Sequence, residues 1–179
     1  MELKSEIKKI DFGSNAELEE IQNLAVEFAK SSTEFLLESY NDHPDTMGGR
    51  YICSDTFKEL FPCFEVKENR ALVNDAIHNS SAVLAATQFE EVLKRDEPDK
   101  TKAIFITGIP GAGKTTSVKK FMADNQVKLI FEGQLANPAP TIPKIEQCLQ
   151  KNLDVRIVAV HIEPEKALDN TFKRFNEYG

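Results

Sequence analysis

Apolar residues along the chain change period several times, and each change marks an element. Between residues 15 and 37, Leu18, Ile21, Ala25, Phe28 and Phe35 recur at helical spacing, which predicts one amphipathic helix. Ser14 and Glu17 stand at capping-box spacing at its start. A breaker-rich stretch, His43-Pro44-Asp45-Thr46-Met47-Gly48-Gly49, predicts a loop, and Tyr51-Ile52-Cys53 a short strand that ends at Ser54-Asp55. From Thr56 the pattern is helical again. Phe57, Leu60 and Phe61, then Val73, Ile77, Ser80 and Leu84, then Phe89, Val92 and Leu93 place two or three helices before Arg95. Residues 95–102 are charged around Pro98 and read as a solvated connection.

The pattern then alternates. The run Ala103-Ile104-Phe105-Ile106-Thr107 predicts a buried strand, residues 108–113 a glycine-rich turn, residues 114–122 a helix, and Lys128-Leu129-Ile130-Phe131 a second strand. Together these make a βαβ unit of about thirty residues. A loop with Pro138, Pro140 and Pro143 follows, then a helix over 144–150, a strand over 155–161 and a helix from Pro164. Strands alternating with helices predict an α/β fold with a mainly parallel sheet.

Composition narrows the classes. With 179 residues, 41% hydrophobic and 28% charged, the chain has enough apolar side chain for a core, so disorder is disfavoured. We divide it into an N-terminal helical segment, 1–42, and a domain, 43–179. The formal net charge of -7 argues against a general nucleic-acid or anionic-membrane binder, since basic surface gathers such partners. No apolar run approaches the roughly 20 residues of a membrane span, and the charged start has no signal-peptide core; a cytoplasmic location is expected. Cys53, Cys63 and Cys148 are odd in number and lie in no CxxC pattern, so they predict neither a disulfide framework nor a zinc site.

The chemistry concentrates in Gly108-Ile109-Pro110-Gly111-Ala112-Gly113-Lys114-Thr115-Thr116, a complete GxxxxGK[ST] between a strand and a helix. Glycines there let consecutive N–H groups and the positive end of the following helix approach phosphate oxygens. Lys114 would then reach the terminal phosphates of a nucleotide and Thr115 would hold Mg2+; the other reading is a glycine-rich turn with no ligand. In a parallel sheet, ligands bind outside the carboxyl ends of the strands. Asp55 follows the short strand 51–53, and Glu132 follows the strand 128–131, so both carboxylates are candidates for that end. Asp55 is the candidate base for an acceptor hydroxyl, or only a helix cap; Glu132 is a candidate acceptor contact, or only a solvated strand-end charge.

Together these residues resemble the zeta toxins, P-loop small-molecule kinases of toxin–antitoxin systems. The resemblance rests on Gly108–Thr116, on Asp55-Thr56-Phe57-Lys58 followed by Phe61-Pro62-Cys63-Phe64, on Ala76-Ile77-His78-Asn79-Ser80-Ser81, on Ile130-Phe131-Glu132-Gly133-Gln134 and on Lys173-Arg174-Phe175-Asn176-Glu177-Tyr178. It covers residues 49–179 and implies a P-loop, kinase-like three-layer α/β fold, here with the Asp segment placed before the P-loop. It also implies transfer of the γ-phosphate of ATP or GTP to UDP-N-acetylglucosamine, with magnesium as the metal and an antitoxin protein as partner. By matching position Asp55 would be the base, Lys114 and Thr115 the phosphate and magnesium groups, Arg174 a phosphate clamp, and Lys58, His78 and Glu132 substrate contacts; on their own, Arg174 reads as a solvated helix charge and His78 as a packed histidine. Lys58 stands where the family has Arg, and the family's lid is expected to be absent or truncated here. Residues 1–42 fall outside the resemblance and are either a packing element or a built-in inhibitor. Two other readings stay open: a P-loop kinase for another small hydroxyl substrate, and a catalytically silent nucleotide-binding interaction module.

Overall fold

In the computed structural model, which describes residues 1–133 and 138–178, the hydroxyl run Ser31-Ser32-Thr33 divides the long N-terminal helix in two: α1, Ala16–Ser31, and α2, Thr33–Asp42. Ser31 Oγ donates to the Glu27 carbonyl at 2.8 Å and Thr33 Oγ1 to the Ala29 carbonyl at 2.7 Å. Hydroxyls that bond their own helix backbone favour bends, and Ser32 leaves the helical region at φ -120°, ψ 25°. The capping residue is Asn15, not Ser14; its side chain accepts from the Leu18 N–H at 3.2 Å.

The remaining elements, in chain order, are β1 (Tyr51–Ile52), α3 (Ser54–Lys58), α4 (Arg70–Lys94), β2 (Lys102–Thr107), α5 (Lys114–Met122), β3 (Val127–Glu132), α6 (Ile142–Gln150), β4 (Asp154–Ala159) and α7 (Pro164–Tyr178). Short 3-10 turns separate α2 from β1 and α3 from α4. The described residues therefore hold seven α-helices and one four-stranded sheet, parallel at every pairing, which makes the fold α/β.

Two compact units divide these elements. The first comprises Met1–Gly49 and Cys53–Glu90. Its core is aromatic: Tyr40 and Phe57 are fully buried and stacked, with ring centroids 3.7 Å apart, and Phe61 and Phe89 are buried with them. The Tyr40 hydroxyl accepts from the Cys53 N–H at 2.9 Å, which gives that buried phenol its polar partner. Residues from before α1 join the same unit. The Lys4 N–H donates to Thr87 Oγ1 at 3.0 Å, and Asn79 donates to the Lys8 carbonyl at 2.8 Å.

The second unit comprises Arg50–Ile52 and Glu91–Tyr178. Its strand order is β1-β3-β2-β4, so the short Tyr51–Ile52 strand occupies one edge and β4 the other. Ile104, Phe105, Ile106, Leu129 and Ile130 are buried because β2 and β3 are interior strands; this is why they read as continuous apolar runs. From β2 the chain steps to β3 on one side, then passes back to β4 on the other side of β2. That reversal puts the sheet's topological switch at the carboxyl end of β2, the usual place for a ligand in an open α/β sheet. Strand β3 runs one residue further at each end than the predicted strand 128–131, so Glu132 is the last strand residue, paired with Ile106, and not the first residue of a loop. On the outer edge, β4 keeps Ile157 59% exposed despite its apolar sequence.

Candidate functional site

The turn at residues 108–113 leaves the carboxyl end of β2 and enters α5. Gly111 and Gly113 adopt φ +75° and +86°, backbone conformations that L side chains rarely take. At Gly113 nothing lies within 4 Å of where a Cβ would stand, so the loop there faces open space beside the first turn of α5. At Gly111 the reason for glycine is different. A Cβ would overlap the Ala167 carbonyl and Thr171 Oγ1 of α7, and Asn170 Nδ2 donates to the Gly111 carbonyl at 3.0 Å. One face of α7 therefore packs directly on the turn. Arg174 lies four residues beyond Asn170, hence on the same side of that helix, and is exposed.

Lys114 opens α5. Its ammonium donates to the Gly108 carbonyl at 2.9 Å and to the Ile109 carbonyl at 3.3 Å, so it folds back over the turn. Glu132 Oε1 lies 3.8 Å from the same nitrogen, and Glu132 Oε2 accepts from the Tyr51 hydroxyl at 2.6 Å. The Lys114 and Glu132 side chains are only 18% and 13% exposed, so this charge pair is largely shielded from water. Thr115 and Thr116, in the same first turn, are exposed, as are Ile109 and Pro110, whereas Ala112 is buried.

In the first unit, Asp55 is the second residue of α3; Cys53 holds the N-cap position and makes no side-chain cap. The Asp55 carboxylate pairs with Lys58 at 2.8 Å, one turn along. Lys58 is 5% exposed and also donates to Asn74 Oδ1 of α4 at 2.7 Å. The Lys58 ammonium is thus committed to Asp55 and Asn74, which gives it a role in holding Asp55. His78 of α4 is exposed, and its imidazole is held below the ordinary histidine value, first by desolvation and then by the Lys58 charge, with Asp55 and Asp75 acting the other way.

The structure thus places Gly108–Thr116, Glu132 and the α7 face in the second unit, and Asp55, Lys58 and His78 in the first. Gln134 lies outside the described residues. Three contacts had no sequence signal strong enough to find them: Tyr51 on Glu132, Asn74 on Lys58 and Asn170 on Gly111. Only Asn170 left a trace, its helical spacing of four from Arg174.

The turn has the chemistry for an anionic ligand. A helix amino terminus presents N–H groups and positive potential, the glycines allow close approach, and an ammonium stands at the mouth. No family model matches the chain, and no curated protein matches it at a level that shows a relationship.

Proposed function

We propose that the chain is an ATP-dependent phosphotransferase of the zeta-toxin type, moving the γ-phosphate to a hydroxyl of a nucleotide sugar such as UDP-N-acetylglucosamine. The observation that carries the reading is the position of the glycine-rich turn: at the carboxyl end of β2, at the topological switch, running into α5 with Lys114 at its start. The open space at Gly113 and the exposed Thr115 suit a polyphosphate and its ion. On this reading the P-loop is residues 108–115, and Lys114 exchanges two neutral carbonyl acceptors for phosphate oxygens, a stronger, charge-assisted pairing. Magnesium bound with the nucleotide supplies charge neutralisation at the terminal phosphates, and Thr115 would hold it.

The remaining roles follow the resemblance. By that resemblance Asp55, three residues after β1 in the chain and held by Lys58, would be the base for the acceptor hydroxyl. The hydroxyl oxygen bonds to the γ-phosphorus as the bond to the bridging oxygen breaks, and ADP leaves with that electron pair. The resemblance likewise makes Glu132 and His78 substrate contacts, and Arg174, on the turn-facing side of α7, a phosphate clamp.

The test is a mass-spectrometric transfer assay with MgATP and UDP-N-acetylglucosamine, run beside nucleotide-binding calorimetry. Lys114→Ala should weaken MgATP binding at least about tenfold, the cost of one charge-assisted contact. Asp55→Asn should keep binding and lower the transfer rate about a hundredfold or more. Absence of MgATP binding by the wild type overturns the reading. Binding without transfer removes the nucleotide-sugar acceptor and leaves another hydroxyl substrate or a silent binding module.

A further inference from the structure

The carboxylate nearest the loop lysine is restrained by a residue with no assigned role. Tyr51 belongs to the edge strand β1 and is 4% exposed; a buried phenol needs a polar partner, and here it has Glu132 Oε2 at 2.6 Å. The register explains why these two meet. Tyr51 aligns with Ile130, and Glu132 lies two residues further along β3, so both side chains stand on one face of the sheet. A phenol on a strand of two residues thereby reaches across to the end of a longer one.

The restraint matters because of what stands on the other side of the carboxylate. Glu132 Oε1 stops 3.8 Å short of the Lys114 ammonium, beyond hydrogen-bond distance, while Lys114 donates to the Gly108 and Ile109 carbonyls instead. A carboxylate free to move the last ångström would form a direct salt bridge and compete with any incoming phosphate for the same ammonium. We propose that Tyr51 is a positioning residue for nucleotide binding: its hydroxyl holds Glu132 off Lys114, so that the ammonium stays available to a polyphosphate. The proposal rests on the reading of residues 108–115 as a phosphate-binding turn and assigns that site a residue the reading did not contain. Closing the gap from 3.8 Å to about 2.8 Å at an effective dielectric near 20 strengthens the lysine–carboxylate pair by about tenfold. That factor is the affinity at stake.

Calorimetry of MgATP binding to the full chain tests this with four proteins: wild type, Tyr51→Phe, Glu132→Gln and the double variant, each checked for native far-UV circular dichroism. Tyr51→Phe keeps the ring and removes only the hydroxyl, and should weaken MgATP about tenfold. Glu132→Gln removes the competing charge and should tighten it. In the Glu132→Gln background, Tyr51→Phe should then change affinity by less than about twofold, a coupling that a general loosening of the sheet would not produce. An unchanged affinity in Tyr51→Phe overturns the proposal, as does a loss that persists when Glu132 is already Gln. Either result leaves the phosphate-binding turn standing. Failure of the wild type to bind MgATP overturns the turn reading and this role with it.

Discussion

At the amino end of the sheet, Glu97 closes a charge cluster whose value to the fold can be worked out and tested. Arg50 grips it with both guanidinium nitrogens, Nη1 to Oε2 at 2.8 Å and Nη2 to Oε1, and Lys128 Nζ reaches Oε2 at 3.1 Å. Lys128 also donates to the Arg95 carbonyl. The Lys128 side chain is 5% exposed, Arg50 18% and Glu97 25%, and among the described residues Glu97 is the carboxylate that pairs with both cations. The Arg50 hydrogen bonds, with help from Lys128 and against the cost of burial, hold the Glu97 carboxyl down at about 2 instead of 4.5. At about 1.4 kcal/mol per pH unit this sets a ceiling of about 3 kcal/mol, and partial exposure of the carboxylate reduces it to about 2 kcal/mol. Because the folded value is depressed, the stabilisation is complete above pH 4.5 and is lost as the pH falls towards 2. Glu97→Gln should therefore destabilise the chain by about 2 kcal/mol at pH 7, and the gap to wild type should shrink below about 0.5 kcal/mol near pH 2. Urea unfolding followed by far-UV circular dichroism at pH 7, 4 and 2 reads both numbers. A loss under about 0.5 kcal/mol at pH 7, or a gap that does not narrow with acid, would refute the reasoning.

Other outcomes follow from the same geometry. Gly111→Ala meets both an unfavourable φ and the backbone of α7, so on the proposed phosphate-binding reading MgATP affinity should fall by more than about tenfold. Gly113→Ala meets only the conformational cost of about 1 kcal/mol, and calorimetry on the pair separates the two effects. Cys148 is fully buried, and burial pushes its thiol up to about 12, so a thiol reagent at pH 8 should not label it in the folded protein. Cys63, half-buried and raised by burial to a lesser degree, should react first; mass spectrometry of labelled peptides in buffer and in denaturant gives the order.

Local signals were legible where neighbours in sequence are also neighbours in space. The run Ala103–Thr107, the glycines after it and the helix from Lys114 were all readable, because strand burial, positive φ and helix entry are each written in a few consecutive residues. The break at Ser32 was not. Helical periodicity continues through it, and the deciding contacts are hydroxyls on their own backbone. The edges of β3 were misplaced for a related reason. Glu132 is polar and ends the apolar run, yet the ladder to Ile106 carries it into the strand.

The sequence by itself determined the α/β alternation, the glycine-rich turn between strand and helix, and the residue types gathered near it, since these follow from propensity and period. Only the tertiary structure decided that Tyr51 restrains Glu132, that Lys114 faces that carboxylate, that Asn170 holds the turn at Gly111, and that Lys58 is bound to Asn74. Those pairings join residues as far apart as 81 positions. They depend on strand register and on which helix face meets which loop, and neither is encoded within any single stretch of the chain.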